Sequence, residues 1–154
     1  MSNRLASFFV HGLPIPQGSK NAFRSGNRCV IVDVKDKELK AWRGEISEIA
    51  ARNYLAPPWD GAACVQYTFY FDRIKSHYRA NGELSASAPE RYIKTPDLDK
   101  LERAVGDALT KVVLKDDCRV DHSVTRKRYA DDQHPQGVLI EVFGNCDECV
   151  GEGV

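Results

Sequence analysis

Two pairs of acids, one helix length apart, are the residues of this chain best placed to do chemistry. Asp97 and Asp99 stand in Thr95-Pro96-Asp97-Leu98-Asp99, where an apolar-periodic stretch begins, and Asp116 and Asp117 follow in Lys115-Asp116-Asp117-Cys118-Arg119-Val120. Taken alone, the first pair reads as an ordinary helix start. Thr95 can cap, Pro96 suits the first helical position, and acids in the first turn favour the helix dipole. Asp-Asp taken alone is an ordinary turn. The combination carries more. Four carboxylates converging on one spot repel each other unless a hard cation neutralises them, and Mg²⁺ prefers carboxylate oxygen. A divalent-metal site is the first chemistry this spacing implies.

Asp97-Leu98-Asp99, a helix bearing Asp107-Ala108-Leu109, a short connection and Asp116-Asp117-x-x-Val120 resemble, in order and spacing, the signature of RusA-type Holliday-junction resolvases. The likeness extends to the N-terminus. There Phe9-Val10-His11-Gly12-Leu13-Pro14-Ile15-Pro16-Gln17-Gly18-Ser19-Lys20 is similar to the family's opening strand and proline-glycine-basic loop. The resemblance implies a Mg²⁺-dependent endodeoxyribonuclease, with Mn²⁺ as a substitute ion, that resolves four-way DNA junctions by paired symmetric nicks. It places the metal-binding carboxylates on Asp97, Asp99 and Asp117, and the family's strand lysine on Lys127. It also implies a homodimer, because a twofold enzyme offers two sites related as the cut strands are. Neither a small-molecule cofactor nor a membrane partner is implied, and the expected setting is cytoplasmic and nucleoid-associated, bacterial or phage-encoded.

The chain leaves the family pattern at two positions. Asparagine usually follows the second acid and lysine comes one turn later, whereas this chain has Lys100 and Arg103. Arginine keeps the charge but cannot release a proton at working pH. Arg103 and Lys127 are therefore expected to offset charge on the phosphorane and leaving oxygen, and any proton shuttle falls to Lys100 or Lys127. Two other readings use the same residues: a branched-DNA-binding protein without cleavage, and a branched-DNA or flap nuclease of broader specificity.

Lys+Arg and Asp+Glu balance at 22 each, so net charge alone does not favour a nucleic-acid binder. The distribution does. Residues 1–32 hold Arg4, Lys20, Arg24 and Arg28 with no acid, Arg126-Lys127-Arg128 is a second basic run, and the chain from Asp131 onward is acidic. A nuclease needs acids to hold metal and bases around them to hold phosphates. Lys20, Arg24, Arg28, Lys94, Lys100 and Arg126 are the expected DNA contacts.

At 154 residues and 42% apolar, the chain is the size of one domain and can bury a core without covalent staples. Five cysteines at irregular spacing argue for reduced thiols rather than a disulfide framework. Cys146-x-x-Cys149 has the spacing of half a zinc site, but no second Cys/His pair of suitable spacing accompanies it, and zinc is not expected. Gly18-Ser19-Lys20 lacks the preceding pattern of a P-loop. The short apolar run near Arg4 and Ser7 supports neither a signal peptide nor a membrane span.

The elements that must position these residues follow from periodicity. Residues 4–11 predict a strand, 14–27 a loop, 28–32 a short strand, and Leu39, Trp42, Ile46 and Ile49 a helix over 36–55 closed by Pro57-Pro58. Val65, Tyr67, Phe69 and Phe71 alternate as in a half-buried strand, and 73–96 form a long aperiodic segment that is functional or mobile. The next helix points Leu98, Leu101, Val105, Ala108, Leu109 and Val112 at the core, leaving Asp99, Arg103 and Asp107 in an i,i+4 ladder. Strands over 120–129 and 138–143 close a single α/β (α+β) domain, 1–143, with a mixed sheet and two main helices. Residues 144–154 are expected to form a flexible acidic tail dispensable for chemistry.

Overall fold

Strand β4 (Ala63–Phe71) lies inside a four-stranded sheet, with β5 (Val120–Tyr129) parallel on one side and β6 (Gly137–Gly144) antiparallel on the other. β1 (Asn3–His11) pairs antiparallel with the far side of β6, giving the order β1-β6-β4-β5. The computed structural model describes residues 3–18, 20–33 and 36–146. It is an α+β arrangement with a mixed sheet and two main helices, as the periodicity predicts.

Helices α1 (Asp36–Asn53) and α2 (Leu98–Leu109) cover one face of this sheet. Leu39, Trp42, Ile46 and Ala50 form the buried stripe of α1, and Leu101, Ala104, Val105, Ala108 and Leu109 that of α2. Both recur at three- and four-residue steps, so each helix shows one continuous apolar face to Ala6, Phe8 and Val10 of β1, Val65, Tyr67 and Phe69 of β4, and Val138 and Ile140 of β6. Leu98, expected in this core, is the first residue of the helix and stays 37% exposed.

The parallel pairing of β4 with β5 dictates where α2 lies. Parallel neighbours need a crossover, and a helix in that crossover runs antiparallel to both strands. The start of α2 therefore meets the end of β5, and the end of α2 meets its beginning. The aperiodic segment expected to be functional or mobile is pinned across this crossover. Arg79 N–H donates to Glu83 O at 2.7 Å, Ser85 N–H to His77 O at 2.9 Å, and the Arg73 guanidinium to Pro89 O at 2.7 Å. Tyr92 stacks on Phe71 at 4.4 Å and meets Tyr129 edge-on at 5.2 Å.

Three expectations need correction. β4 is buried on both faces, not half-buried, because its second face is also covered: Cys64 packs with Phe143 and Cys146, and Tyr70 stacks on His134 at 4.9 Å. The loop predicted over 14–27 contains a strand, β2 (Lys20–Ser25), which pairs antiparallel with β3 (Arg28–Asp33) about a Gly26-Asn27 turn. Gly26 at φ +62° supplies the left-handed turn residue, a hairpin signal that the flanking polar residues obscured. Last, Cys64 is disulfide-bonded, against the expectation of reduced thiols throughout.

The sheet also reaches into the segment expected to be a tail. Gly144 pairs with Asn3 and Ala63, Asn145 N–H donates to Ala62 O at 2.9 Å, and Cys146 is buried. Residues 147–154 lie outside the described residues. Among the described residues no helix is long and apolar enough to cross a membrane.

Candidate functional site

Helix α2 starts at Leu98 with Asp97, not Thr95, in the N-cap position. Asp97 has extended backbone (φ −69°, ψ 142°) and its carbonyl accepts from Leu101 N–H, but its carboxylate makes no capping hydrogen bond. The side chain is directed elsewhere. Lys100 Nζ lies 3.6 Å from Asp97 Oδ2, and Asp99 is exposed in the same first turn.

Lys127 holds this entry in place. Its ammonium donates to Lys94 O at 2.6 Å and Pro96 O at 2.9 Å, and lies 5.5 Å from the centre of the Tyr92 ring. Strand alternation places Lys127 on the helix-bearing side of β5, paired with the core residue Phe69, and Arg126 on the opposite side, paired with Thr68. A cleft of about 700 Å³ opens beside Lys127 between β5 and the segment carrying Arg91 and Tyr92, with Arg73 also on its wall.

The other end of α2 carries a second constellation. Asp107 accepts from the Gln17 amide, whose carbonyl accepts from Arg43 at 3.0 Å, and the Arg43 guanidinium stands 3.7 Å from the same Asp107 carboxylate. Gln17 N–H also donates to Lys100 O at 3.0 Å, so the loop after β1 lies along α2. Arg103 points at this loop: a Cβ on Gly18 would sit 3.2 Å from its guanidinium, and Gly18 itself has φ +94°, a conformation that favours glycine. Among the described residues Arg103 forms no ion pair with Asp99 or Asp107, so the i,i+4 ladder is not bridged by it.

Asp116 and Asp117 sit where a 3₁₀ turn (Asp117–Arg119) leads into β5. Asp116 caps that turn, accepting from Cys118 N–H at 3.2 Å, and this bond leads the causes that hold its carboxyl below the usual range. Asp117 goes the other way. Its hydrogen bond to Asp116, then burial, then the charges of Asp116 and Asp107 raise its carboxyl above the usual range. Asp107 is thus the α2 acid whose charge reaches Asp117. Asp97 and Asp99 stand about 12–15 Å back along the helix axis at 1.5 Å per residue.

A staple sets the position of the acid pair. Asp60 Oδ2 lies 2.9 Å from Lys115 Nζ and Asp60 Oδ1 2.7 Å from Arg119, one cation on each side of Asp116-Asp117. Trp59 N–H donates to Val113 O at 2.8 Å and Lys115 N–H to Trp59 O at 3.0 Å, fixing the same turn through backbone.

Every sequence-predicted acid is exposed, and so is Arg103. Lys20, Arg24 and Arg28 lie on the β2–β3 hairpin, with Lys20 opposite Asp33 and Arg28 opposite Ser25. Gln17, Arg43, Asp60 and Asp107 were missed as site residues. Only Asp107 carried a visible signal, as the third rung of the ladder; the others reach the acids through folding alone.

Among the described residues, three His, Cys, Asp or Glu donors come within 4.8 Å of one another at Cys64, His122 and Cys146. The carboxylates are not gathered in this way within one chain. They are water-facing oxygen donors, which suits an ion that keeps several waters and takes its remaining ligands from substrate phosphate.

A family model, Endodeoxyribonuclease RusA, matches residues 12–142. No curated protein matches the chain.

Proposed function

The chain belongs to the RusA endodeoxyribonuclease family, and from that premise we propose that it resolves four-way DNA junctions by Mg²⁺-dependent paired nicks, acting as a homodimer. The observation that carries this reading is a row of exposed carboxylates along α2, with Asp97 and Asp99 at its start and Asp107 at its end, where the hydrogen bond to Asp116, burial and the charges of Asp116 and Asp107 raise the Asp117 carboxyl above its usual range. Acids that repel one another at an open surface suit a divalent cation that arrives with its substrate.

Asp97 and Asp99 at the start of α2 and Asp117 beyond its end, too far apart within one chain to share an ion, would each hold Mg²⁺ together with phosphate oxygens, and Mn²⁺ would serve in its place. When bound, the ion supplies Lewis-acid polarisation of the phosphate and a water of lowered pKa. The protein's own residues do the rest. Lys127 is directed at the carbonyls of Lys94 and Pro96, so it acts by holding Asp97 in position, not by contacting phosphate. Arg103 is the cation of α2 left available to a developing oxyanion, while Arg43 and Gln17 orient Asp107. Lys20, Arg24, Arg28, Lys94, Lys100 and Arg126 would track the junction arms through phosphates.

The test is a labelled synthetic four-way junction incubated with the purified protein, with and without Mg²⁺. Symmetric nicks on opposed strands that appear only with the ion are the expected result. Binding without nicking under every ion condition would convert the reading to a branched-DNA-binding protein, and equal cutting of flaps would widen its specificity.

A further inference from the structure

We infer that Cys64, His122 and Cys146 form a zinc site on the side of the sheet away from the helices. Neighbouring residues of the register bring the first two donors together: Cys64 on β4 is the strand partner of His122 on β5. The third arrives through a turn. Gly144 ends β6 under the Trp59 ring, where a Cβ would stand 2.7 Å from a ring carbon, and Asn145 at φ +49° reverses the chain so that Cys146 is buried beside Cys64 and Phe143.

The ligand atoms of Cys64, His122 and Cys146 all lie within 4.8 Å of one another. Donors about 2.0–2.3 Å from a tetrahedral Zn²⁺ stand ~3.3–3.8 Å apart, so an inward shift of about 1 Å forms the site. His122 carries an independent sign of a ligand. Its Nε2 is buried with no hydrogen-bond partner, while its Nδ1 lies 2.9 Å from Asp121 Oδ1. A carboxylate on one ring nitrogen, leaving the other to face a metal, is the arrangement that orients ligating histidines. Two thiolates and an imidazole select Zn²⁺ over Mg²⁺, so this site is chemically separate from the carboxylates.

Its position gives it a purpose. The ion would tie β4, the first residues of edge strand β5 and the chain beyond β6 into one unit, on the strand that Asp117 leads into. Cys64 is disulfide-bonded in the structure, so loading requires that bond to be opened. With an added phosphine, phosphorus takes the oxygen of a water to become phosphine oxide, and the two protons pass to the two sulfurs.

The experiment uses the full chain, phosphine-reduced, titrated with Zn²⁺ and, in parallel, with Co²⁺ as a spectroscopic probe. The expected result is one equivalent of tightly held zinc and the strong visible bands of tetrahedral thiolate-bound cobalt. His122→Gln and Cys146→Ser should lose both, Asp121→Asn should weaken zinc binding by about 10–100-fold, and Cys118→Ser, at an exposed cysteine away from the cluster, should change nothing. Reduced wild-type protein that takes up no zinc and gives no thiolate–cobalt bands would overturn the proposal, and so would a folded His122→Gln variant with wild-type affinity. DNA cleavage is not read, so this outcome stands apart from the nuclease assignment.

Discussion

The aspartates around α2 and the cysteine–histidine cluster across the sheet are built on opposite principles. The aspartates are exposed, all oxygen and mutually repulsive, with Asp117 held above the usual carboxylate range by its neighbours. Cys64 and Cys146 are buried, and the sulfur and nitrogen donors with His122 lie within 4.8 Å of one another on the far side of the sheet. An open cluster of like charges suits a hard ion that comes and goes with substrate, and a closed one of soft donors suits an ion that stays. The difference teaches that exposure and donor type, more than acid count, separate a reacting site from a structural one.

The largest expected effect is on the open cluster. Asp97→Asn, Asp99→Asn or Asp117→Asn should each reduce junction cleavage by about 10³-fold or more, since a metal's charge stabilisation is worth several kcal/mol. Junction binding by gel shift should persist or strengthen, and near-normal cutting by any one variant would remove that residue from the ion's ligands.

Arg103 comes next. Arg103→Ala should slow single-turnover cleavage on the order of 10²-fold, the scale of removing one donor to a developing oxyanion, while Arg103→Lys retains substantial activity. Because no ion pair ties Arg103 to Asp99 or Asp107 among the described residues, thermal melting of both variants should stay close to wild type. A fully active alanine variant would assign the positive charge to Lys100 or to the metal alone.

Chelation sharpens the contrast between the clusters. After brief treatment with a carboxylate chelator, added Mg²⁺ alone should restore cleavage, because exposed oxygen sites exchange quickly. A requirement for added zinc as well would show that the closed site is needed during turnover.

Salt dependence should give a smaller effect. Replacing Lys20 and Arg24 by alanine should lower the slope of log affinity against log salt by about 0.9 for each phosphate that the hairpin no longer neutralises. An unchanged slope would take the β2–β3 hairpin out of the DNA interface.

The smallest effect is on stability against pH. Asp60 is depressed in the folded state, first by its hydrogen bond from Lys115 and also by the charge of Arg119. Its contribution is therefore full above the ordinary carboxylate range and disappears as pH falls through the folded value. Asp117 has the opposite sign: a raised folded pKa means that ionising it at neutral pH costs stability until a cation arrives. Asp60→Asn should lower the melting temperature at pH 7, with the gap to wild type closing below about pH 4. Mg²⁺ should raise the wild-type melting temperature and act less on Asp117→Asn.

By itself the sequence determined the helices, most strands and the acids, because these rest on local signals. Leu39, Trp42 and Ile46 repeat at helical spacing whatever lies above them, and Asp97-Leu98-Asp99 with Asp116-Asp117 is a short motif readable along one stretch of chain. Strand β2 was missed because its residues are mostly polar and it forms by pairing with β3. Only tertiary structure decided which acid meets which: the parallel β4–β5 crossover turns α2 antiparallel to β5, bringing Asp107 to Asp117 and Asp97 to the carbonyl-holding Lys127. The same holds for Cys64, His122 and Cys146. Their separation along the chain leaves no spacing to recognise, and strand register plus one left-handed residue, Asn145, brings them together. Local periodicity is set by bond geometry within a few residues, whereas a cluster drawn from two strands and the turn beyond a third exists only after the sheet has formed.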